Sequence, residues 1–185
     1  MSGYCKVAPG HEWHGPYHAE HYGYPIDDDN ELFERLILEI NQAGLSWLTI
    51  LKRQEAFRKA FREFKIEKVA RLGARDVERL MQDESIIRNR MKIEATIENA
   101  KRIKVIQREM GSLAEWLKSH HPKRKDEWVK LFKKTFVFTG GEIVGEFLMS
   151  IGYLPGAHHD KCPIHKKIAK LKPAWMQAER KGFKY

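Results

Sequence analysis

From Glu31 onward the apolar residues Leu32, Phe33, Leu36, Ile37 and Ile40 recur three and four positions apart, the spacing of one face of an α-helix. Asp27 to Asp29 precede them, and carboxylates suit a helix N-terminus because they meet the positive end of the backbone dipole. By helical phase Glu39 lies beside Leu32 and Leu36, at the margin of that apolar stripe. Ala43-Gly44 breaks the pattern. "LSWLTILKRQEAFRKAFREF" then reads as a second amphipathic helix, with Trp47, Leu48, Leu51, Phe57 and Phe61 facing inward. Shorter helices are predicted near residues 66–72 and 74–82, and a longer one over about 86–109 that ends near Gly111. Ser112 with Glu115 forms a capping box for the next helix, which Pro122 closes. "DEWVKLFKK" is a further amphipathic helix. No run alternates with period two, and no repeat or low-complexity tract interrupts the chain. The pattern predicts an all-α, multi-helix fold.

Composition bounds the class. The 185 residues are enough for one domain with a proper core, and 42% hydrophobic with 32% charged residues is the balance of a globular protein. No stretch approaches the roughly 18 apolar residues of a membrane span, and "MSGYCKVAPG" lacks the apolar core of a signal peptide. The expectation is a cytoplasmic protein with no membrane partner, in which two cysteines are thiols or ligands rather than a disulfide. Thirty-four Lys and Arg against 25 Asp and Glu leave a net charge of +9. That excess favours a polyanionic partner, nucleic acid first and acidic lipid second. The basic residues are scattered through "KRIK", "HPKRK", "KLFKK" and "HKKIAKLK", so solvated helix faces account for them equally well.

Two stretches carry more chemistry. In "TFVFTGGEIVGEFLMSIG" an apolar approach meets Gly140-Gly141, and a helix follows with the stripe Ile143, Val144, Phe147, Leu148 and Ile151. Glycines turn the chain tightly and leave backbone N–H groups facing outward at a helix N-terminus, a ready anion site. A helix-hairpin-helix grips a DNA phosphate in this way without reading sequence. A tight turn between packed helices uses the same residues. In "GAHHDKCPIHKK", His158 and Cys162 stand four apart and can converge on one ion, but a structural zinc site needs two more ligands. On spacing alone this stretch is half of a metal site or a basic surface loop.

Glu39 with "QAGLSW" (Gln42 to Trp47) and "IIRNRMKI" (Ile86 to Ile93) are the most specific pieces of a broader likeness. The chain resembles the DNA-3-methyladenine glycosylase I family of the helix-hairpin-helix superfamily, densely over roughly residues 29–110 and again in the glycine hairpin. The resemblance implies one helix-hairpin-helix glycosylase domain over residues 1–185, with zinc-binding ends at 1–25 and 153–165 and a basic tail at 166–185. It implies one structural Zn²⁺ held by Cys5, His18, His158 and Cys162, with His159, His165 and His21 as the nearest competitors. It also implies base-excision repair, with hydrolysis of the N-glycosidic bond of alkylated bases, chiefly 3-methyladenine. The partner is then double-stranded DNA bearing alkylated bases, met by a monomer with no obligate protein partner and without lyase activity. No isolated, desolvated Lys argues otherwise in the sequence.

The same resemblance assigns roles. Glu39 matches the catalytic carboxylate, Tyr17, Tyr22 and Trp47 the aromatic base pocket, and Gly44 and Leu45 the loop that enters the gap beside a flipped nucleotide. Gly140 and Gly141 match the hairpin that holds the DNA backbone. The N-terminal region departs from the family pattern: Val7 stands for a Trp, His14 for an aromatic, Ala19 for an Asp, and His21-Tyr22-Gly23 for Glu-Trp-Gly. Trp13 is a candidate to compensate. These departures leave two alternatives beside the leading reading: a noncatalytic helix-hairpin-helix DNA-binding protein, and a glycosylase of shifted lesion specificity.

Overall fold

The computed structural model describes residues 3–185. In chain order its helices are α1 (Gly3–Val7), α2 (His14–Glu20), α3 (Asp29–Gln42), α4 (Trp47–Ala60), α5 (Ile66–Val69) and α6 (Ala74–Met81). They continue with α7 (Arg90–Met110), α8 (Leu113–His120), α9 (Lys125–Thr135), α10 (Gly141–Ser150), α11 (Pro163–Lys170) and α12 (Ala174–Arg180). No strand occurs among the described residues, as the periodicity predicts.

Helix α3 is the axis of the interior. It packs on α4, α7, α8 and α10, so residues on nearly every side of it are buried, from Leu32 to Asn41. The amphipathic reading is therefore corrected at one point that matters: Glu39 is not at a margin but buried, with 4% of its surface exposed. Leu38 and Ile40 on either side are buried too, which leaves the helix no outer face there. Asp28 caps α3 by accepting from the Glu31 N–H at 2.9 Å. Asp29 turns the other way and accepts from the Leu113 and Ala114 N–H groups at 2.8 and 3.1 Å, which caps α8 from outside.

Other boundaries shift for local reasons. Helix α7 begins at Arg90 rather than near 86, because Asn89 takes the cap position and accepts from the Lys92 N–H at 3.2 Å. Ser112 caps α8 as expected, accepting from the Glu115 N–H at 2.9 Å, while the Glu115 carboxylate pairs with Lys118 at 3.1 Å rather than completing a box. Of the inward candidates on α4, Leu51, Phe57 and Phe61 are buried, Trp47 and Leu48 half-buried, and Ile50 is fully buried as well.

Helices α9 and α10 flank the glycine turn. Asn99 on α7 clasps that turn by accepting from the Val137 N–H at 2.9 Å and donating to the Val137 carbonyl at 3.1 Å. The two ends of the chain meet in a separate small layer, in which Cys5, Cys162, Ile164 and Ile168 form one apolar cluster. Gly23 is needed there: its φ is +84°, and a Cβ would lie 2.9 Å from that of Ala157. Helix α11 carries a short apolar stripe, Ile164 and Ile168, that the reading of this segment as a basic tail passed over, and α12 follows it. Among the described residues no helix is long and apolar enough to cross a membrane.

Candidate functional site

Cys5 on α1, His18 on α2, His158 in the loop after α10 and Cys162 at the cap of α11 are all buried, with one ligand atom of each lying within 4.8 Å of the others. The Cys162 Sγ is 3.7 Å from His18 Nε2 and 3.7 Å from His158 Nδ1, and the Cys5 Sγ is also 3.7 Å from His158 Nδ1. Tetrahedral zinc with Zn–S near 2.3 Å and Zn–N near 2.0–2.1 Å sets sulfur and nitrogen roughly 3.6 Å apart. The donors therefore fit a Cys2His2 structural zinc, with four protein ligands and no position for a reactive water. His158 Nε2 lies 2.7 Å from the Tyr22 carbonyl, a contact that places the proton on Nε2 and frees Nδ1 for the ion. The competing histidines go elsewhere: His159 pairs with Asp160, His165 lies against Trp175, and His21 stacks on Tyr17. The half-site in "GAHHDKCPIHKK" finds its other half at the opposite end of the chain.

A cavity of about 480 Å³ lies beside this centre, lined by Tyr4, Tyr17, Tyr22, Glu39, Gln42, Trp47, Glu142 and Glu146. Its size is that of a small-molecule site. Glu39, Tyr17, Tyr22 and Trp47, far apart in sequence, are thus brought to one wall. Tyr17 meets Trp47 at 5.1 Å and Tyr22 at 5.6 Å between ring centroids, and Tyr4 meets Tyr22 edge-on at 5.6 Å. The Trp47 indole N–H is buried with no hydrogen-bond partner among the described residues. An unsatisfied buried donor costs about 1–3 kcal/mol, and Trp128 in the interior carries the same cost, so this feature alone does not mark a site.

Glu39 is pushed up to about 8, first by burial and then by the charge of Glu146, with the Arg35 guanidinium opposing both. No side chain among the described residues hydrogen-bonds its carboxyl. Arg35, one turn earlier on α3, lies 5.2 Å from the Tyr17 ring centroid and donates to the Tyr17 hydroxyl at 3.4 Å, so it holds the ring in place. Glu146 on α10 accepts from the Tyr22 hydroxyl at 3.1 Å. Burial raises its pKa, Glu142 adds to the rise, and the Tyr22 bond and Lys125 oppose it. Burial also lifts Tyr4, Tyr17 and Tyr22 well above the usual phenol range, so all three stay neutral donors.

The other two groups of candidates lie on loops. Gly44 has φ +82° with open space around it, and Leu45 is 38% exposed at the turn between α3 and α4. Lys92 braces that turn by donating to the Asn41 and Ala43 carbonyls at 2.9 and 2.7 Å. Lys92 is buried, its pKa lowered by desolvation, which corrects the expectation of no desolvated lysine; both carbonyl bonds commit it to the turn. Gly140 caps α10 and Gly141 begins it, and a Cβ on Gly140 would meet nothing within 4 Å.

Sequence reasoning missed Tyr4, Arg35 and Glu146. Tyr4 precedes a zinc ligand, and Arg35 precedes Glu39 by four residues, but neither signal distinguishes a pocket wall from a bystander. Val7 is 66% exposed and Trp13 37% exposed, and neither lines the cavity. Tyr4, rather than the candidate Trp13, lines the cavity, with His14 Nδ1 3.2 Å from its hydroxyl.

Comparisons with known proteins agree with this geometry. The model of the family described as methyladenine glycosylase matches residues 8–130. The chain is 35% identical over 166 residues to DNA-3-methyladenine glycosylase of Haemophilus influenzae, covering 80% of this chain and 89% of that protein. It is 51% identical over 85 residues to DNA-3-methyladenine glycosylase 1 of Escherichia coli, 46% of each chain. Among solved structures it is similar to 3-methyladenine DNA glycosylase I from Staphylococcus aureus, with TM-score 0.78 and 34% identity over 86% of this chain and 95% of that one.

Proposed function

The chain belongs to the methyladenine glycosylase family, and on that premise we propose that it releases 3-methyladenine from DNA with Glu39 as its catalytic carboxylate. The reading is carried by one observation: a buried carboxyl without a hydrogen-bond partner among the described residues faces a cavity walled by Tyr4, Tyr17, Tyr22 and Trp47. Alkylation at a ring nitrogen makes the base cationic and a good leaving group, so little acid assistance is needed. The enzyme must extrude the nucleotide, hold the base and stabilise an electron-poor sugar. Ring faces attract the cation, and a carboxylate does so more strongly in a water-poor pocket.

The raised pKa of Glu39 fits this task. In the empty pocket at neutral pH the carboxyl keeps its proton; a cationic base entering beside it favours the ionised form and displaces that proton. When the bond between the sugar C1′ and the base nitrogen breaks, its electron pair goes to the base and the positive charge passes to the sugar. Water adds at C1′ and releases its extra proton to solvent, and ionised Glu39 offsets the charge throughout. Gly44 and Leu45 would fill the gap left by the flipped nucleotide, and the N–H groups at Gly140 and Gly141 would hold a backbone phosphate. The net charge of +9 suits duplex DNA. Zinc stays structural, and a reducing cytoplasm would keep its thiolate ligands available.

Single-turnover release of 3-methyladenine from methylated DNA tests the assignment, wild type against Glu39→Gln at saturating enzyme. Gln keeps the shape and removes the charge, so release should slow about tenfold or more with undamaged-duplex binding preserved. Equal rates would return Glu39 to the role of a buried structural residue.

A further inference from the structure

Two carboxylates besides Glu39 line the aromatic cavity: Glu142, exposed and paired with Lys125, and Glu146, half-buried and bound to Tyr22. Glu39 comes from α3 and Glu146 from α10, and these helices pack directly on each other. Glu146 lies beyond residues 8–130, where the family match ends, in the glycine-hairpin stretch, where the resemblance assigned it no role. It is half-buried, and the Tyr22 hydroxyl at 3.1 Å orients it toward the aromatic wall. Tyr22 is itself anchored, since its carbonyl meets the zinc ligand His158 at 2.7 Å. The placement is specific rather than a loose surface charge.

We propose that Glu146 is a specificity-determining residue that recognises the positive charge of an N-alkylated purine nucleotide before its glycosidic bond is cut. The proposal rests on the reading of the cavity as the base pocket. Its physical content is a division of labour with Glu39. Cleavage carries the positive charge from the base to the sugar, so a carboxylate that holds the base alone favours the bound substrate and does not lower the barrier. Glu146, tied to Tyr22 on the base-stacking wall, has this ground-state role and sets affinity. Glu39, deeper on α3, follows the charge onto the sugar and sets rate. A neutral, undamaged purine gains nothing from Glu146 and must displace water from it, so discrimination comes from both sides.

The groups around the pair are few. Glu39 is faced by Glu146 from α10, Arg35 from its own helix, and the neutral phenols Tyr4, Tyr17 and Tyr22. Glu146 is faced by the Tyr22 hydroxyl, by Glu142 on its own helix, and by Lys125 from α9. Lys125 pairs with Glu142 at 3.2 Å, and Gly145 gives it room to lie across α10: a Cβ there would sit 2.7 Å from the Lys125 Cε. Burial first, and like-charge repulsion from Glu146 second, keep Glu39 protonated in the empty pocket.

Glu146→Gln retains an acceptor for the Tyr22 hydroxyl and removes the charge. With the zinc-loaded enzyme and methylated duplex, single-turnover release should need about tenfold more enzyme for half-saturation, the equivalent of about 1.4 kcal/mol, while the maximal rate stays within about threefold. Affinity for undamaged duplex should hold or rise. The pH midpoint of release under subsaturating conditions should move to lower pH, because Glu39 then ionises more readily. Unchanged half-saturation together with an unchanged pH midpoint would overturn the proposal, as would a fall in maximal rate alone. Glu39→Gln run in parallel separates the two readings. If Glu39→Gln is slow while Glu146→Gln behaves as wild type, only the role of Glu146 fails. If both variants match wild type, the pocket itself has been misassigned.

Discussion

Phe33, Phe57, Phe61, Phe64, Phe132 and Phe147 are each almost fully buried in one continuous interior around α3, together with Trp128 and more than a dozen aliphatic side chains. The layer where the chain ends meet has nothing comparable. Its metal-side cluster is Cys5, Cys162, Ile164 and Ile168, two of which are themselves metal ligands. Burying a Leu, Ile or Phe side chain contributes about 1.5–3 kcal/mol, so the interior stands on its own packing while the end layer does not. A zinc ion supplies what those few contacts lack. The contrast has a functional edge, because the cavity lies on the seam. Trp47, Glu39 and Glu146 reach it from interior helices, and Tyr4, Tyr17 and Tyr22 reach it from the zinc-held layer.

Removing the metal should break the two regions apart, and this is the largest effect expected. Cys162→Ala should drop zinc from about one per chain to near zero. Amide exchange should then accelerate over residues 14–24 and 157–170 while α3, α7 and α10 keep their protection. Base release should fall by about two orders of magnitude, the upper range for lost metal-site support, because three of the four aromatic walls lose their anchor. Equal protection of both regions in the zinc-free variant would mean that the end layer folds on its own contacts.

Replacing Glu39 acts on the interior with the opposite sign. Burial pushes its carboxyl up to about 8 in the folded protein from an ordinary value of 4.5, so the native state keeps a proton that the unfolded chain gives up. Stability is therefore lost as pH rises from about 4.5 to about 8. Glu39→Gln removes that loss. The variant should be more stable than wild type by on the order of 4 kcal/mol at pH 8, at 1.36 kcal/mol per unit, and by almost nothing at pH 4. Denaturant melts at the two pH values measure it. A gain in stability paired with slower base release is the pattern of a residue kept for function at the expense of the fold.

The same contrast governs what could be read in the sequence. The interior is legible because periodicity is local: Leu32 to Ile40 announce α3, and Ser112 announces the start of α8. Depth is less legible than face, which is why Glu39 looked marginal until four neighbouring helices closed around it. The end layer has little period to read, a single i, i+4 pair in Ile164 and Ile168. Helices α1, α2, α11 and α12 are short, and the pairing of Cys5 and His18 with His158 and Cys162 spans almost the whole chain. Resemblance to a family supplied that pairing; spacing supplied only half of it. Neither gave a role to Tyr4 or to Glu146, although Glu146 stands in the hairpin stretch that carried part of the resemblance, since their value lies in where their neighbours place them.

The smallest effect tests whether the hairpin glycines answer to the protein or to DNA. Gly140 sits at the cap of α10 with φ −84° and ψ 172°, an extended conformation open to any residue, and an added Cβ would meet nothing within 4 Å. The fold thus has no steric need for glycine there. Serine is a better helix cap than glycine, so Gly140→Ser should leave stability unchanged or raise it by up to about 0.5 kcal/mol. If the backbone N–H groups approach a phosphate, a side chain at the cap stands in the way, and duplex affinity should fall about threefold to tenfold for all sequences alike. The slope of log affinity against log salt should stay the same, because no cationic side chain has been removed. Titrating labelled duplex at several salt concentrations reads both quantities. Wild-type affinity in Gly140→Ser would make the glycine a turn residue only and move the DNA contact elsewhere on this basic surface.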